Sequence, residues 1–280
     1  MRNRIQFLRF RLSRTALYLA LIASSLLMIV PFYWTVGTSL KLEEFVYASP
    51  PQWIPNPLTL MHYLEVLTRI PFPRYFLNST IAAAVTTVGH VFFDTLAGYS
   101  FAKLRFPGRD KLFFVLLLGL MVPIQVNLIP LYRIMSAFHW LDTYFALTIT
   151  DLTSIFGIFL MRQYILSIPV ELLDAARIDG CSEFGVFSRV VLPLSLPGVA
   201  TLVIFTFMNT WNSFLWPRIV TSSEEMFTLP VGLTQLILKN TSNWTQIMAG
   251  TALTALPLII VFFFMQRQFI EGLTAGAVKQ

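Results

Sequence analysis

The sequence predicts an all-α integral membrane protein, with six transmembrane helices and a cytoplasmic helix-turn-helix between the fourth and fifth. Three observations predict it. Of 280 residues, 56% are hydrophobic and 12% charged, with a mean hydropathy of +0.68 that a water-soluble domain of this size has no use for. Six apolar runs reach the length of about 20 residues that a bilayer-spanning helix needs. Between the fourth and fifth runs lies "DAARIDGCSEFGVFSRVVLP", residues 174–193, with five charged side chains in an otherwise apolar region.

In chain order the runs are Ala16–Gly37, Phe76–Ser100, Leu112–Tyr132, Thr143–Ile165, Pro197–Pro217 and Ile247–Gln266. Backbone groups in lipid must be satisfied within the segment, so these are read as helices. The ten-residue alternation of an outer-membrane barrel is absent. The opening "MRNRIQFLRFRLSR" has the charge of a signal peptide, but the apolar run after Arg14 passes twenty residues and shows no A-x-A pattern. It is read as a retained first span with a cytoplasmic arginine anchor.

Charge sets the orientation. With the N-terminus inside, the inner segments hold Arg2, Arg4, Arg9, Arg11 and Arg14; Lys103, Arg105, Arg109 and Lys111; Arg162, Arg177 and Arg189; Arg267 and Lys279. That is fourteen of the twenty Lys and Arg, so both termini are expected in the cytoplasm. The net charge of +6 then belongs to orientation and anionic headgroups of membrane lipid, and calls for no nucleic acid. A single cysteine, Cys181, and three scattered histidines offer no disulfide and no metal set. No HExxH, GxSxG or GxxxxGK[ST] occurs, so no catalytic residue is assigned and ATP hydrolysis is not expected of this chain.

Residues 166–196 form the predicted cytoplasmic loop. Pro169 suits a first helical turn and Glu171 the positive end of a helix dipole. Gly180 can end that helix in a left-handed conformation, and Ser182 can cap a second. Phe184, Phe187, Val190 and Val191 fall at spacings of three and four, giving an apolar face, and Pro193 is expected to close the helix before the fifth span. An interfacial hairpin that merely links two spans is the plain alternative.

The spacing of this stretch resembles the EAA loop of ABC-transporter permeases: E-A-A, three residues, G, nine residues, then I-x-L-P. Asp174, Ala175 and Ala176 stand for E-A-A, Gly180 for the glycine, Val190 for the isoleucine, and Leu192 and Pro193 for the final pair. The departures are Asp for Glu and Val for Ile. Further stretches, "PPQWIPNPLTLMHY", "NSTIAAAVTT", "AGYSFAKLRFPGRD", "MVPIQVNLIPLY", "WNSFLWP" and the tail "QRQFIEGLTAGAVKQ", are similar in order to the carbohydrate-uptake (maltose-type) branch, in particular its smaller permease.

The resemblance implies one permease domain over 1–280 in a bacterial or archaeal cytoplasmic membrane. It implies half of a translocation pore, completed by a second homologous permease, and two ATP-binding subunits that hold the ATP and Mg. It also implies an extracytoplasmic sugar-binding protein that delivers the solute. The loop becomes a coupling helix seated on an ATPase subunit, with Glu171, Asp174, Ala175, Ala176, Asp179, Gly180, Val190, Leu192 and Pro193 as coupling residues. The small Ala175 and Ala176 would allow close approach, and the acids would pair with basic groups of the partner. The sugar itself is not specified; a non-sugar solute such as an amino acid, a peptide or a glycerol phosphodiester is the nearest alternative. A facilitator working alone would have no use for a coupling loop, and a membrane enzyme would need more facing His, Glu or Asp than the spans contain.

Polar residues within the spans are candidates for the substrate path, since a charge at the bilayer centre costs about 2.5–3.5 kcal/mol on insertion scales. Asp151 in the fourth run and Asn209, Trp211 and Asn212 in the fifth offer a carboxylate, amides and an indole suited to hydroxyls and a sugar ring. Bonding between neighbouring helices is the alternative for each. His90 and Asp94, four apart on one face, read as a packing pair or a proton-linked pair. The segment 218–245 is expected outside, either reaching into the binding protein or lying as a solvated loop with a bend at Pro230.

Overall fold

The computed structural model describes residues 2–239 and 243–277, with side chains described for 14–236 and 243–267. Lys279 and residues 240–242 of the segment 218–245 lie outside the described residues, and the tail motif beyond Arg267 outside the described side chains. Every regular element among the described residues is helical.

The chain opens with α1 (Arg2–Ser39), α2 (Met61–Arg69) and α3 (Phe72–Lys103), then α4 (Arg109–Leu118) and α5 (Ile124–Ala137). The short α6 (Tyr144–Thr148) continues as a 3-10 turn, Ile149–Asp151, before α7 (Ile155–Leu166). Next come α8 (Val170–Ile178), α9 (Glu183–Val186), a π turn (Phe187–Val191) and α10 (Leu192–Leu194). The chain continues through α11 (Leu196–Trp211), α12 (Leu215–Val220), α13 (Leu229–Lys239) and α14 (Trp244–Ala277). Among the described residues, three helical stretches are long and apolar enough to cross a membrane: Arg14–Ser39, Phe72–Lys103 and Trp244–Arg267.

The third and fourth predicted runs are bent pairs instead of straight helices, and a third bend lies just before the fifth run, where the predicted loop meets it. The bend is 97° between Arg109–Met121 and Ile124–Ala137, 44° between Tyr144–Asp151 and Ile155–Leu166, and 79° between Glu183–Leu194 and Leu196–Trp211. Counting each pair as one span brings the total to six. Local chemistry explains each break. Pro123 forces Val122 out of the helical region, to ψ 115°. Ser154 is extended and caps α7 by accepting from the Gly157 N–H at 2.9 Å. Ser195 ends α10, and Pro197 enters the first turn of α11, where its missing N–H is harmless.

Pro193 does not close the loop's second helix, as its position suggested. The helix runs through it to Leu194, with the π turn Phe187–Val191 absorbing the register shift just before the proline. The fifth run likewise stops early, at Trp211, because Asn212 leaves the helix and its amide donates back to the Met208 carbonyl at 2.9 Å.

Contacts within the chain gather into two units, Met1–Arg69 with Leu236–Leu253, and Ile70–Gln235 with Thr254–Gln280. In the first, the Glu43 carboxylate accepts from the Trp244 and Thr245 N–H groups at 3.0 and 3.1 Å, capping α14 with a negative charge. In the second, α3 is the central helix, with α7 and α11 against it. Gly98 allows this: a Cβ there would sit 2.9 Å from the Arg162 backbone nitrogen. Gly198 does the same for α11, where a Cβ would meet the Tyr164 ring at 2.7 Å.

The segment after α12 is not a free loop. The Asn78 amide of α3 donates to the carbonyls of Glu225 and Phe227 at 2.7 and 2.9 Å, and Ser79 Oγ accepts from the Leu229 N–H at 2.8 Å. Met226, Phe227, Leu229 and Val231 are buried, and Pro230 lies in the first turn of α13, so the solvated loop is corrected to a docked one.

Candidate functional site: a docked helix pair and a polar break in the bundle

The charged stretch folds as two helices meeting at a glycine. Pro169 lies just before α8 at ψ 135°, one place ahead of the first turn the sequence suggested, and Gly180 turns the chain at φ +85°, where a side chain carries a steric penalty. Nothing lies within 4 Å of a Cβ built there, so glycine is required by backbone conformation alone. Ser182 caps α9 by accepting from the Gly185 N–H at 3.2 Å.

The pair has an inner and an outer face. Leu173, Ala176, Val186, Phe187 and Val191 are buried in one cluster with Tyr99 of α3, Met161 and Ile165 of α7, and Leu202 of α11. Facing away are Glu171, Asp174, Ala175, Asp179, Gly180 and Pro193, together with Val170, Leu172 and Ile178, the last 86% exposed. The two alanines therefore part company. Ala175 is on the outer face, whereas Ala176 is 9% exposed and packs on the chain's own core, so its small size serves internal fit. Val190 and Leu192 are half-buried beside that cluster, and Phe184 is exposed instead of joining the apolar face.

One interaction was not visible in the sequence. Arg177 donates through Nε and Nη2 to the two Glu183 carboxylate oxygens at 2.8 and 3.2 Å, and through Nη1 to Asp174 at 2.7 Å. Tyr99 of α3 donates to Glu183 at 2.7 Å. The fork bridges α8 and α9 across the glycine turn and ties both to α3. These bonds hold Arg177 more firmly protonated than usual, with Glu183 the larger cause, and hold the Glu183 carboxyl below its ordinary range, with Arg177 the larger cause. Asp174 thus already has a basic partner within its own chain. Lys103, at the end of α3, donates to the carbonyls of Leu166 and Ile168 at 3.2 and 2.6 Å and fixes the entry to α8.

The second candidate region is the break before α7. Asp151 and Asn209 line one cavity of about 150 Å³ with His90, Ser154 and Thr206. Asp151 also lines a second, of about 160 Å³, with Thr150, Thr210 and Trp216. Its side chain is 52% exposed. Trp211 and Asn212 line neither cavity: Trp211 is 1% exposed with its indole donating to the Thr254 carbonyl at 3.1 Å, and Asn212 is exposed at the end of α11. His90 and Asp94 are in contact, Nδ1 to Oδ2 at 2.7 Å, and both are buried. No group of three His, Cys, Asp or Glu among the described residues could hold a metal ion.

A helical bundle with a glycine-jointed helix pair docked on its central helices, and a polar break inside, is the architecture of a membrane permease subunit. The family described as binding-protein-dependent transport system inner membrane component matches residues 94–274, and the chain belongs to it. The arabinooligosaccharides transport system permease protein AraQ of Bacillus subtilis is 41% identical over 206 residues, 74% of this chain and 73% of the relative. The sn-glycerol-3-phosphate transport system permease protein UgpE of Yersinia pestis is 34% identical over 268 residues, 91% of this chain and 94% of the relative. A chain from the crystal structure of a bacterial ABC transporter involved in the import of the acidic polysaccharide alginate shares the fold. Its TM-score is 0.82 at 23% identity, covering 92% of this chain and 97% of that one.

Proposed function

We propose that this permease serves an ATP-driven importer of oligosaccharides or sugar-like solutes, supplying half of the pore beside a second, homologous permease. One of two separate ATP-binding subunits takes up α8 and α9, and an extracytoplasmic binding protein delivers the solute. The carrying observation is the docked helix pair. Its outer face offers Glu171, Asp174, Ala175, Asp179 and the apolar Val170 and Ile178, while its inner face is built into α3, α7 and α11. A push on the outer face is therefore delivered to the helices that surround Asp151 and Asn209.

Among solutes, the cavity favours a neutral polyol. A carboxylate and an amide suit hydroxyl groups, whereas Asp151 would repel a phosphate. Cysteine placed at Asp151 or Asn209, in a Cys181→Ser background, is expected to react with small water-soluble thiol reagents, and transported sugar should slow the reaction. Unreactive cysteines in variants that still transport would return both residues to a packing role.

Both termini are assigned to the cytoplasm, with residues 166–196 on the same side. A topology reporter fused after Pro107 or Gly180 should give a cytoplasmic signal, and one after Ser222 an exterior signal. An exterior signal at Gly180 would remove α8 and α9 from reach of any ATPase.

A further inference from the structure

The break between α6 and α7 is held from α3 by a buried pair that forms no part of the outer coupling face. His90 Nε2 lies 2.9 Å from the Asp151 main-chain carbonyl oxygen, which can only accept, so this nitrogen carries the hydrogen. His90 Nδ1 faces Asp94 Oδ2 at 2.7 Å, and one proton serves that contact whichever atom holds it. Asp94 Oδ1 in turn accepts from the Thr153 hydroxyl at 2.5 Å and the Ser154 N–H at 3.1 Å. Asp94 is fully buried and His90 4% exposed. Two side chains one helical turn apart thus fix three features of the break: the Asp151 carbonyl, the Thr153 hydroxyl and the Ser154 N–H that opens α7.

We infer that His90 and Asp94 are positioning residues for the solute path, clamping the backbone at 151–154 so that the Asp151 side chain stands in the wall of both cavities. The inference rests on the reading of Asp151 and Asn209 as path residues. A 3-10 turn of three residues between two helices has few bonds of its own, and the Asp151 carbonyl has no continuing helix to accept from. The clamp supplies that bond through the main chain, so it persists in Asp151→Cys, where only the 3.8 Å approach of Nε2 to the Asp151 carboxylate is lost.

Asp94→Asn separates positioning from proton transfer. The asparagine oxygen still accepts from Thr153 and Ser154, and its amide donates to His90 Nδ1, which leaves Nε2–H on the carbonyl. The double variant His90→Phe with Asp94→Asn keeps the bonds from Thr153 and Ser154 to residue 94 and removes both bonds of His90, of which only the one to the carbonyl reaches the backbone at 151. Both retain the cap on α7 and are expected to assemble.

The full transporter in membranes, with Cys181→Ser and either Asp151→Cys or Asn209→Cys, supplies the test. Asp94→Asn alone should leave both reaction rates unchanged. The double variant should raise the rate of the thiol introduced by Asp151→Cys about tenfold, the population change expected from losing one buried hydrogen bond, while the thiol introduced by Asn209→Cys stays reactive. An unchanged rate at position 151 in the double variant would overturn the inference. So would the same change from Asp94→Asn alone, which would make the charge of the pair, and not its grip on the backbone, the acting feature. Silence of both introduced thiols before any change at 90 or 94 would overturn the path reading itself, and the clamp as a path element with it.

Discussion

Trp211→Ala should destabilise the permease by about 3–5 kcal/mol, the usual cost of truncating a buried aromatic side chain. The indole is 1% exposed, stacks on Phe207 at 5.5 Å between ring centroids, meets Phe76 edge-on at 5.6 Å and donates to the Thr254 carbonyl. Removing it opens a cavity between α3, α11 and α14 and removes the indole's hydrogen bond to that carbonyl. Thermal unfolding of the purified protein in detergent checks this, with Trp211→Phe expected to recover much of the loss and Asn212→Ala to cost little. A Trp211→Ala protein with unchanged unfolding but abolished uptake would mean that the indole contacts solute directly.

Gly180→Val should uncouple ATP hydrolysis from uptake while the protein still reaches the membrane. Valine at φ +85° carries a penalty of about 1–2 kcal/mol from backbone sterics alone, and relieving it moves α8 against α9. The Arg177 fork onto Glu183 spans that turn, so the strain falls on the outer face that an ATPase would meet, while the inner cluster stays packed. Reconstituted transporter, scored for solute uptake and for hydrolysis stimulated by the binding protein, should show hydrolysis exceeding transport. Asparagine tolerates the left-handed region, so Gly180→Asn should restore much of the coupling. Normal coupling in Gly180→Val would reduce the segment to a linker.

Much of this was legible in the sequence, for reasons that differ by residue. The turn at Gly180 and the cap at Ser182 follow from local chemistry, and they stand where local chemistry puts them, with Pro169 one place before the first turn of α8. Pro123 carries its own notice of a break, yet a run defined by hydropathy passes through it, because hydropathy ignores backbone angles. The π turn is a negotiation between Pro193 and the packing of Phe187 and Val191, and no local signal announces it. The Arg177–Glu183 fork escapes because its members are six apart across a turn, outside the three and four spacings that a helix pattern tests. Trp211 looked like a path residue because α11 is apolar nearly all round, so periodicity could not separate a buried side from an open one. Asp151 was legible as an intramembrane carboxylate, but its partners on α3 lie some sixty positions away in the chain.

The seat that Asn78 and Ser79 provide for residues 225–229 grips only main-chain atoms. Such a mount does not read what it holds. The exposed side chain of Glu225 can be exchanged without loosening the anchor, whereas Glu224 accepts from the Tyr75 hydroxyl at 2.9 Å and Met226 and Phe227 are buried. Substitution at Glu225 changes the exposed surface of the segment and leaves the helices beneath it undisturbed, in the way a tool holder accepts a new bit.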